Sequence, residues 1–346
     1  MIDTEEGGLN TQFWTQIPKV ELHVHLGGCI TQSTLAELAI AKGTPPPKQY
    51  KRSTLEECFE IFKAIHTSMC TLEDLARVTK ETIIDFARDN VKYLELRTTP
   101  RAFERDHSTE RDYLECVMQS AAQAIHENNL DIDVGILVSE DRSKKPEKGL
   151  EDAKTACSLA VSHDPKTAVP IIGMELSGNP YVGDFGQLRP ALDYVRTQGG
   201  LPITIHMAEV QNKSETEAIL EWGPQRVGHS VCVDNDICDL MVNKYKMPVE
   251  ICLTSNIFSR SIASPMDHPF VKTRKTHQMH PVCFCTDDPG VFQTSMSREF
   301  AIAERDCGFS RDELLKICRE SIDLSFAPTS IKDKIKSQFD DVVKKL

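Results

Sequence analysis

Residues 18–28 read PKVELHVHLGG. Within them residues 19–26 (KVELHVHL) form a strand candidate that carries His23 and His25 two positions apart, so both imidazoles leave the same face of an extended chain. Seven further runs rich in Val, Ile, Leu, Tyr and Phe follow: 91–99 (VKYLELRTT), 132–138 (IDVGILV), 171–177 (IIGMELS), 202–207 (PITIHM), 226–231 (RVGHSV), 248–256 (PVEICLTSN) and 281–288 (PVCFCTDD). Near-continuous apolar runs suit strands covered on both faces, as in a parallel sheet. Eight of them, with amphipathic helical stretches between, predict an α/β fold: a (β/α)8 TIM barrel in which residues 1–346 form a single domain.

The first crossover is oversized. Residues 27–90 hold three helical patterns, about 31–42, 54–69 and 72–89, broken by the turn-rich GTPPPKQYKR at 43–52, so extra helices are expected over the barrel mouth. Ser53 with Glu56, and Ser310 with Glu313, are spaced as capping boxes.

Barrel chemistry sits at the C-terminal ends of the strands. Here those ends carry His23 and His25, then Ser177 and Gly178, then His206 with Glu209 just beyond, then His229, and finally Asp287 and Asp288. Singly, each has a plain alternative: a core histidine, a loop glutamate, or an N-cap before Pro289-Gly290. Together on one rim they read as a metal-dependent hydrolytic site. Three imidazoles and a carboxylate from His23, His25, His206 and Asp287 suit zinc, with iron and cobalt accepting the same ligand types. Such a metal lowers the pKa of a bound water, and Glu209 is read as a proton shuttle.

Composition narrows the function classes. With 52 acidic against 40 basic side chains the net charge is −12, which opposes nucleic-acid binding. The twelve cysteines form no CxxC pair and are expected to be reduced thiols. The start MIDTEEGGLNTQFW lacks a signal-peptide pattern, and no apolar stretch is long enough to span a membrane, so a cytosolic (cytoplasmic) protein is expected, as a monomer.

In order and spacing, PKVELHVHLGG (18–28), GMELSGNP (173–180), ITIHMAEV (203–210), RVGH (226–229) and CTDDPGVF (285–292) resemble the adenosine/AMP deaminase branch of the amidohydrolase superfamily, over residues 17–330. EECFEIFKAIH (56–66), KYLELRTTP (92–100) and VEICLTSN (249–256) are similar to its adenosine deaminase-like subfamily. The resemblance implies one zinc per chain on His23, His25, His206 and Asp287. It further implies Glu209 protonating purine N1, His229 orienting the attacking water, Asp288 bonding N7 and the Gly178 N–H reaching N3. The implied reaction converts N6-methyl-AMP, or another N6-substituted purine nucleoside monophosphate, to IMP and an amine. The HxE and PCxxC signature of the cytidine and tRNA-adenosine deaminases is absent.

Gly27 stands where adenosine deaminases have Asp and the subfamily typically has Asn. Loss of an acid there removes repulsion toward a 5′-phosphate, and a bare backbone N–H can donate to one. Thr98, Thr99 and His66, with Arg97 or Arg101 nearby, are the expected phosphate holders. For Arg97 the alternative is an ion pair inside the rim, and for His66 a packing role beside Phe59 and Phe62. The competing functions are deamination of adenosine to inosine, hydrolysis of another amide or ester, and a catalytically silent barrel acting as a binding protein.

Overall fold

The computed structural model describes residues 9–45 and 54–346. Eight strands, β1 (Lys19–His25), β2 (Val91–Thr98), β3 (Asp133–Asp141), β4 (Ile171–Ser177), β5 (Ile203–Met207), β6 (Arg226–His229), β7 (Val249–Ile251) and β8 (Val282–Phe284), run parallel and pair in sequence order. The ring is joined past the end of β8. His25 N donates to Asp287 O and Asp287 N to His23 O, both at 2.9 Å, beside a Val24–Asp287 bridge. The expected TIM barrel is therefore present, and its seam is made by residues of the candidate site.

Helices cover the outside with one apolar stripe each. In Leu72–Arg88 the buried Leu75, Val78, Thr79, Thr82, Ile83 and Phe86 recur at helical spacing, while Thr71 Oγ1 caps the Asp74 N–H and Glu73 and Asp74 sit in the positive first turn. The first crossover holds the three expected helices, Gln32–Ala41, Leu55–Ser68 and Leu72–Arg88.

Some boundaries move. The capping box of Leu55–Ser68 is formed by Thr54 and Glu57, with Thr54 N donating to Glu57 Oε2 at 2.7 Å and Glu57 N to Thr54 Oγ1 at 3.3 Å. The expected partner Ser53, like most of the turn-rich 43–52, lies outside the described residues. The Ser310–Glu313 box forms as read. β3 extends to Asp141 because β4 supplies ladder partners as far as Asp141↔Ser177. β6, β7 and β8 are shorter than expected. His229, Ser230 and Asp287 take left-handed φ of 58°, 56° and 63°, and the TSN of VEICLTSN opens the helix Leu253–Phe258. Non-glycine residues pay strain for that conformation, which here turns side chains toward the barrel mouth.

The barrel interior is ionic. Glu95 of β2 meets Arg226 of β6, Arg97 of β2 meets Glu250 of β7, and His23 of β1 also meets Glu250. Strands that are not neighbours make such contacts only across the lumen.

Candidate active site

At the C-terminal rim lies a cavity of about 430 Å³, the size range of small-molecule sites. Four donor atoms converge on its floor. His206 Nε2 lies 3.1 Å from His23 Nε2 and 3.2 Å from His25 Nε2, while Asp287 Oδ1 lies 3.4 and 3.5 Å from those same two nitrogens. Three apposed imidazole nitrogens and a carboxylate oxygen at these separations fit a single metal ion, and His229 also brings a ligand atom within 4.8 Å of those of His23, His206 and Asp287.

The electrostatics agree with that fit. Burial and the Arg97 charge push His23 toward neutrality, but Asp287 and Glu250 outweigh them and raise the ring to about 9. Burial lowers His25, and burial together with the neighbouring rings lowers His206 well below its ordinary value. A cluster that draws a positive charge onto one of three facing imidazoles is one that favours a cation.

The His23 ring is held from behind by a hydrogen bond, and the other two rings each face a carboxylate. His23 Nδ1 bonds Glu250 Oε2 at 2.8 Å, His25 Nδ1 faces Glu175 Oε1 at 3.4 Å, and His206 Nδ1 faces Glu175 Oε2 at 3.5 Å. A carboxylate behind a metal-facing imidazole selects the tautomer that leaves Nε2 free to ligate. Ser255 Oγ donates to Asp287 Oδ2 at 2.6 Å, and the Asn256 side-chain amide meets His229 Nδ1 at 3.1 Å. His229 Nε2 then points toward Glu209 and Asp287 at 3.8 and 3.9 Å.

Two acids at the site favour their protonated forms. Burial, and next the Asp287 charge, raise Glu209 to about 8. The same two causes raise Asp288 well above the carboxylate range, and its buried Oδ1 has no hydrogen-bond partner. Gly28 makes room for this group, because a Cβ there would fall 1.7 Å from Asp288 Oδ1. Gly178, with φ of +100°, presents backbone to the cavity where a Cβ would crowd Asp141.

The outer wall holds Gly27, His66, Thr98, Thr99, Arg101, Ser143 and Lys144. A Cβ at Gly27 would meet nothing within 4 Å. Thr98 Oγ1 shares a 2.8 Å hydrogen bond with Tyr113 Oη, Arg101 donates to Met69 O at 2.7 Å, and His66 stands exposed at the mouth. Arg97 is placed differently from its expected phosphate role. It is fully buried below the floor, and its guanidinium is bound to Glu175 and Glu250 at 2.6 Å each.

Glu175, Glu250, Arg226, Ser255 and Asn256 escaped the sequence reading. The signal for the two glutamates was a lone charge in the middle of a buried apolar run, GMELS or VEICL, where an unpaired carboxylate is untenable.

The adenosine deaminase family model matches residues 18–342. The chain belongs to the adenosine deaminase family. Among this family, it is 36% identical to the N6-mAMP deaminase of Arabidopsis thaliana, covering 94% of this chain and 98% of that protein. It is also 36% identical to the N6-Methyl-AMP deaminase of Homo sapiens, covering 98% and 97%. The solved structure of Arabidopsis ADAL complexed with IMP superposes with a TM-score of 0.87 at 35% identity, over 96% of this chain and 99% of that one. No helix among the described residues is long and apolar enough to cross a membrane.

Proposed function

We propose that this adenosine deaminase family member hydrolyses N6-methyl-AMP, and related N6-substituted purine nucleoside monophosphates, to IMP and the amine. The observation that carries this reading is the convergence of His23, His25, His206 and Asp287 beside the buried carboxyl of Glu209, in a chain whose near-full-length relatives bear that name.

Those four residues would hold one zinc per chain, which would supply the Lewis acidity that makes water nucleophilic at neutral pH. Glu209 gives its proton to purine N1, which leaves C6 electron-poor. His229, fixed through Asn256, orients the attacking water and takes part of its developing charge. Asp288, in its protonated form, donates to N7, and the Gly178 N–H donates to N3. Water adds at C6, the C6–N6 bond breaks, N1 keeps the proton from Glu209, and of the two protons of the water one leaves on the amine and the other returns to Glu209. The balance is N6-methyl-AMP plus water giving IMP plus methylamine.

The 5′-phosphate is placed against Thr98, Thr99, His66 and Arg101, with Ser143 and Lys144 on the same wall and the Gly27 backbone adjoining. Although His66 is exposed at the mouth, loss of hydration among the protein groups around it and, next, the Arg101 charge lower its imidazole, so an incoming dianion is what would draw a proton onto it. The protein is proposed to act as a single-domain monomer in the cytosol on small nucleotides.

The test is a parallel assay of zinc-loaded protein on N6-methyl-AMP, AMP, N6-methyladenosine and adenosine, with and without chelator. IMP from N6-methyl-AMP as the dominant, chelator-sensitive product is expected. Inosine from adenosine as the dominant product would replace the nucleotide reading with a nucleoside one, and no turnover of any substrate would leave a silent barrel.

A further inference from the structure

Arg97 lies beneath the cavity, fully buried, between the two carboxylates that back the metal-facing imidazoles. One guanidinium nitrogen donates to Glu175 Oε2 at 2.6 Å, and another donates to Glu250 Oε2 at 2.6 Å and to Leu22 O at 2.7 Å. Its two carboxylate targets are not equivalent to any pair of bulk ion-pair partners. Glu250 Oε2 is the same atom that meets His23 Nδ1, and Glu175 faces both His25 Nδ1 and His206 Nδ1. Leu22 is the residue before His23 on β1. His23 is thus one hydrogen-bonded carboxylate from Arg97, and His25 and His206 each face, at 3.4 and 3.5 Å, the other carboxylate that Arg97 holds.

We infer that Arg97 is a positioning residue: its planar guanidinium ties Glu175, Glu250 and β1 into one rigid frame that holds the three metal-facing imidazoles at their ligating angles. The planar fork is what this task needs, because it fixes two carboxylates at a set separation, whereas a lysine ammonium offers a point charge with no preferred plane. Arg226 provides the internal comparison. It is equally buried and also binds Glu250, but at Oε1, with its other bonds to Glu95 and Leu324 O, and it contacts nothing that faces His25 or His206. If burying a cation in the lumen were the whole role, the two arginines would be interchangeable in effect.

The inference rests on the metal reading above, and the experiment separates the two. Zinc affinity of the full chain is measured by competition with a chromophoric chelator for wild type, R97K, E175D and R226K. Unfolding of the metal-free forms, and the visible absorption bands of the cobalt-substituted forms, are recorded alongside. R97K keeps the buried charge but loses the fork, and E175D keeps the carboxylate but cannot reach both the guanidinium and the imidazoles. Both are expected to bind zinc roughly 10- to 100-fold more weakly, the usual cost of losing a group behind a metal ligand, and to shift the cobalt bands. R226K is expected to lower the unfolding midpoint of the metal-free form while leaving affinity and bands near wild type. Wild-type affinity and bands in folded R97K or in folded E175D would overturn the inference, as would an equal loss in R226K. Wild-type protein that takes up no zinc or cobalt would instead remove the metal reading on which it stands.

Discussion

Glu209 stands 3.8 Å from His229 Nε2 on the cavity wall, with its carboxyl raised to about 8 by burial and by Asp287. A carboxylic acid that still holds its proton at neutral pH is a donor, and the purine ring nitrogen next to C6 is the acceptor that most favours attack there. E209Q keeps the shape and removes the transferable proton, so it is expected to lower kcat by about 10²- to 10⁴-fold while zinc content, measured by elemental analysis, stays at wild type. A loss of zinc along with activity would show Glu209 supporting the metal site instead. At this scale the sequence was most informative where a residue could do little except chemistry. His23, His25, His206, Asp287 and Glu209 were legible only as a set, because each alone has a plain structural alternative and their placement at the strand ends of one rim does not. For Arg97 the structure takes the alternative, an ion pair inside the rim, because its side chain turns into the lumen although it adjoins Thr98 and Thr99 in sequence. Strand parity through the buried Glu95 and Arg97 was the signal for that orientation.

β3 shows what an element does for the cavity. Its ladder with β4 carries it to Asp141, and the turn that follows brings Ser143 and Lys144 to the cavity wall. One residue before that end, Glu140 is fully buried, its two oxygens lack hydrogen-bond partners, and its nearest cation is Lys144 at 3.7 Å. Burial raises it to about 7, with Lys144 only partly offsetting the effect. The sign follows from which state holds the proton. Below the unfolded value near 4.5, Glu140 is protonated in both states and makes no pH-dependent difference. Between there and about 7 the unfolded chain releases the proton and the folded one keeps it, so stability falls as pH rises, and beyond that the loss is constant. E140Q removes this titration. The difference in unfolding free energy between E140Q and wild type is therefore expected to move in favour of E140Q from pH 5 to pH 8, by up to about 3 kcal/mol, read from urea unfolding at each pH. A difference that stays flat across that range would mean that Glu140 titrates alike in both states. The same strand shows why element ends were the least legible part of the chain. A strand stops where its neighbours stop offering partners or where φ turns positive, as at His229 and Asp287, and both conditions depend on residues distant in sequence.

Across the whole molecule the proposed metal ligands come from β1, from β5 and from the segment after β8, which meets β1 at the barrel seam. Eight apolar runs were enough to predict the barrel, because covering both faces of a parallel sheet demands them. The ionic lumen was not readable in the same way, since the pairing of Glu95 with Arg226, or Arg97 with Glu250, depends on which strands face one another across a closed ring. That geometry has a thermodynamic consequence. In an unfolded chain the four proposed ligands are scattered, so a zinc ion held by them would bind the folded state far better than the unfolded one, and its binding free energy would add to folding stability. At free zinc a thousandfold above Kd the gain is about 4 kcal/mol. The unfolding midpoint is thus expected to rise as free zinc is raised in a metal buffer and to fall back on chelation. H206A removes one of the three rings and should melt at nearly the same temperature with zinc or with chelator. The dependence should also weaken as pH falls below about 9, because protons compete with the metal for the imidazole nitrogens and for His23 above all, which Asp287 and Glu250 hold at about 9 against burial and the Arg97 charge. A midpoint for the wild-type chain that ignores zinc at every pH would separate the four converging atoms from metal binding, and would return the lumen's charges to a purely structural role.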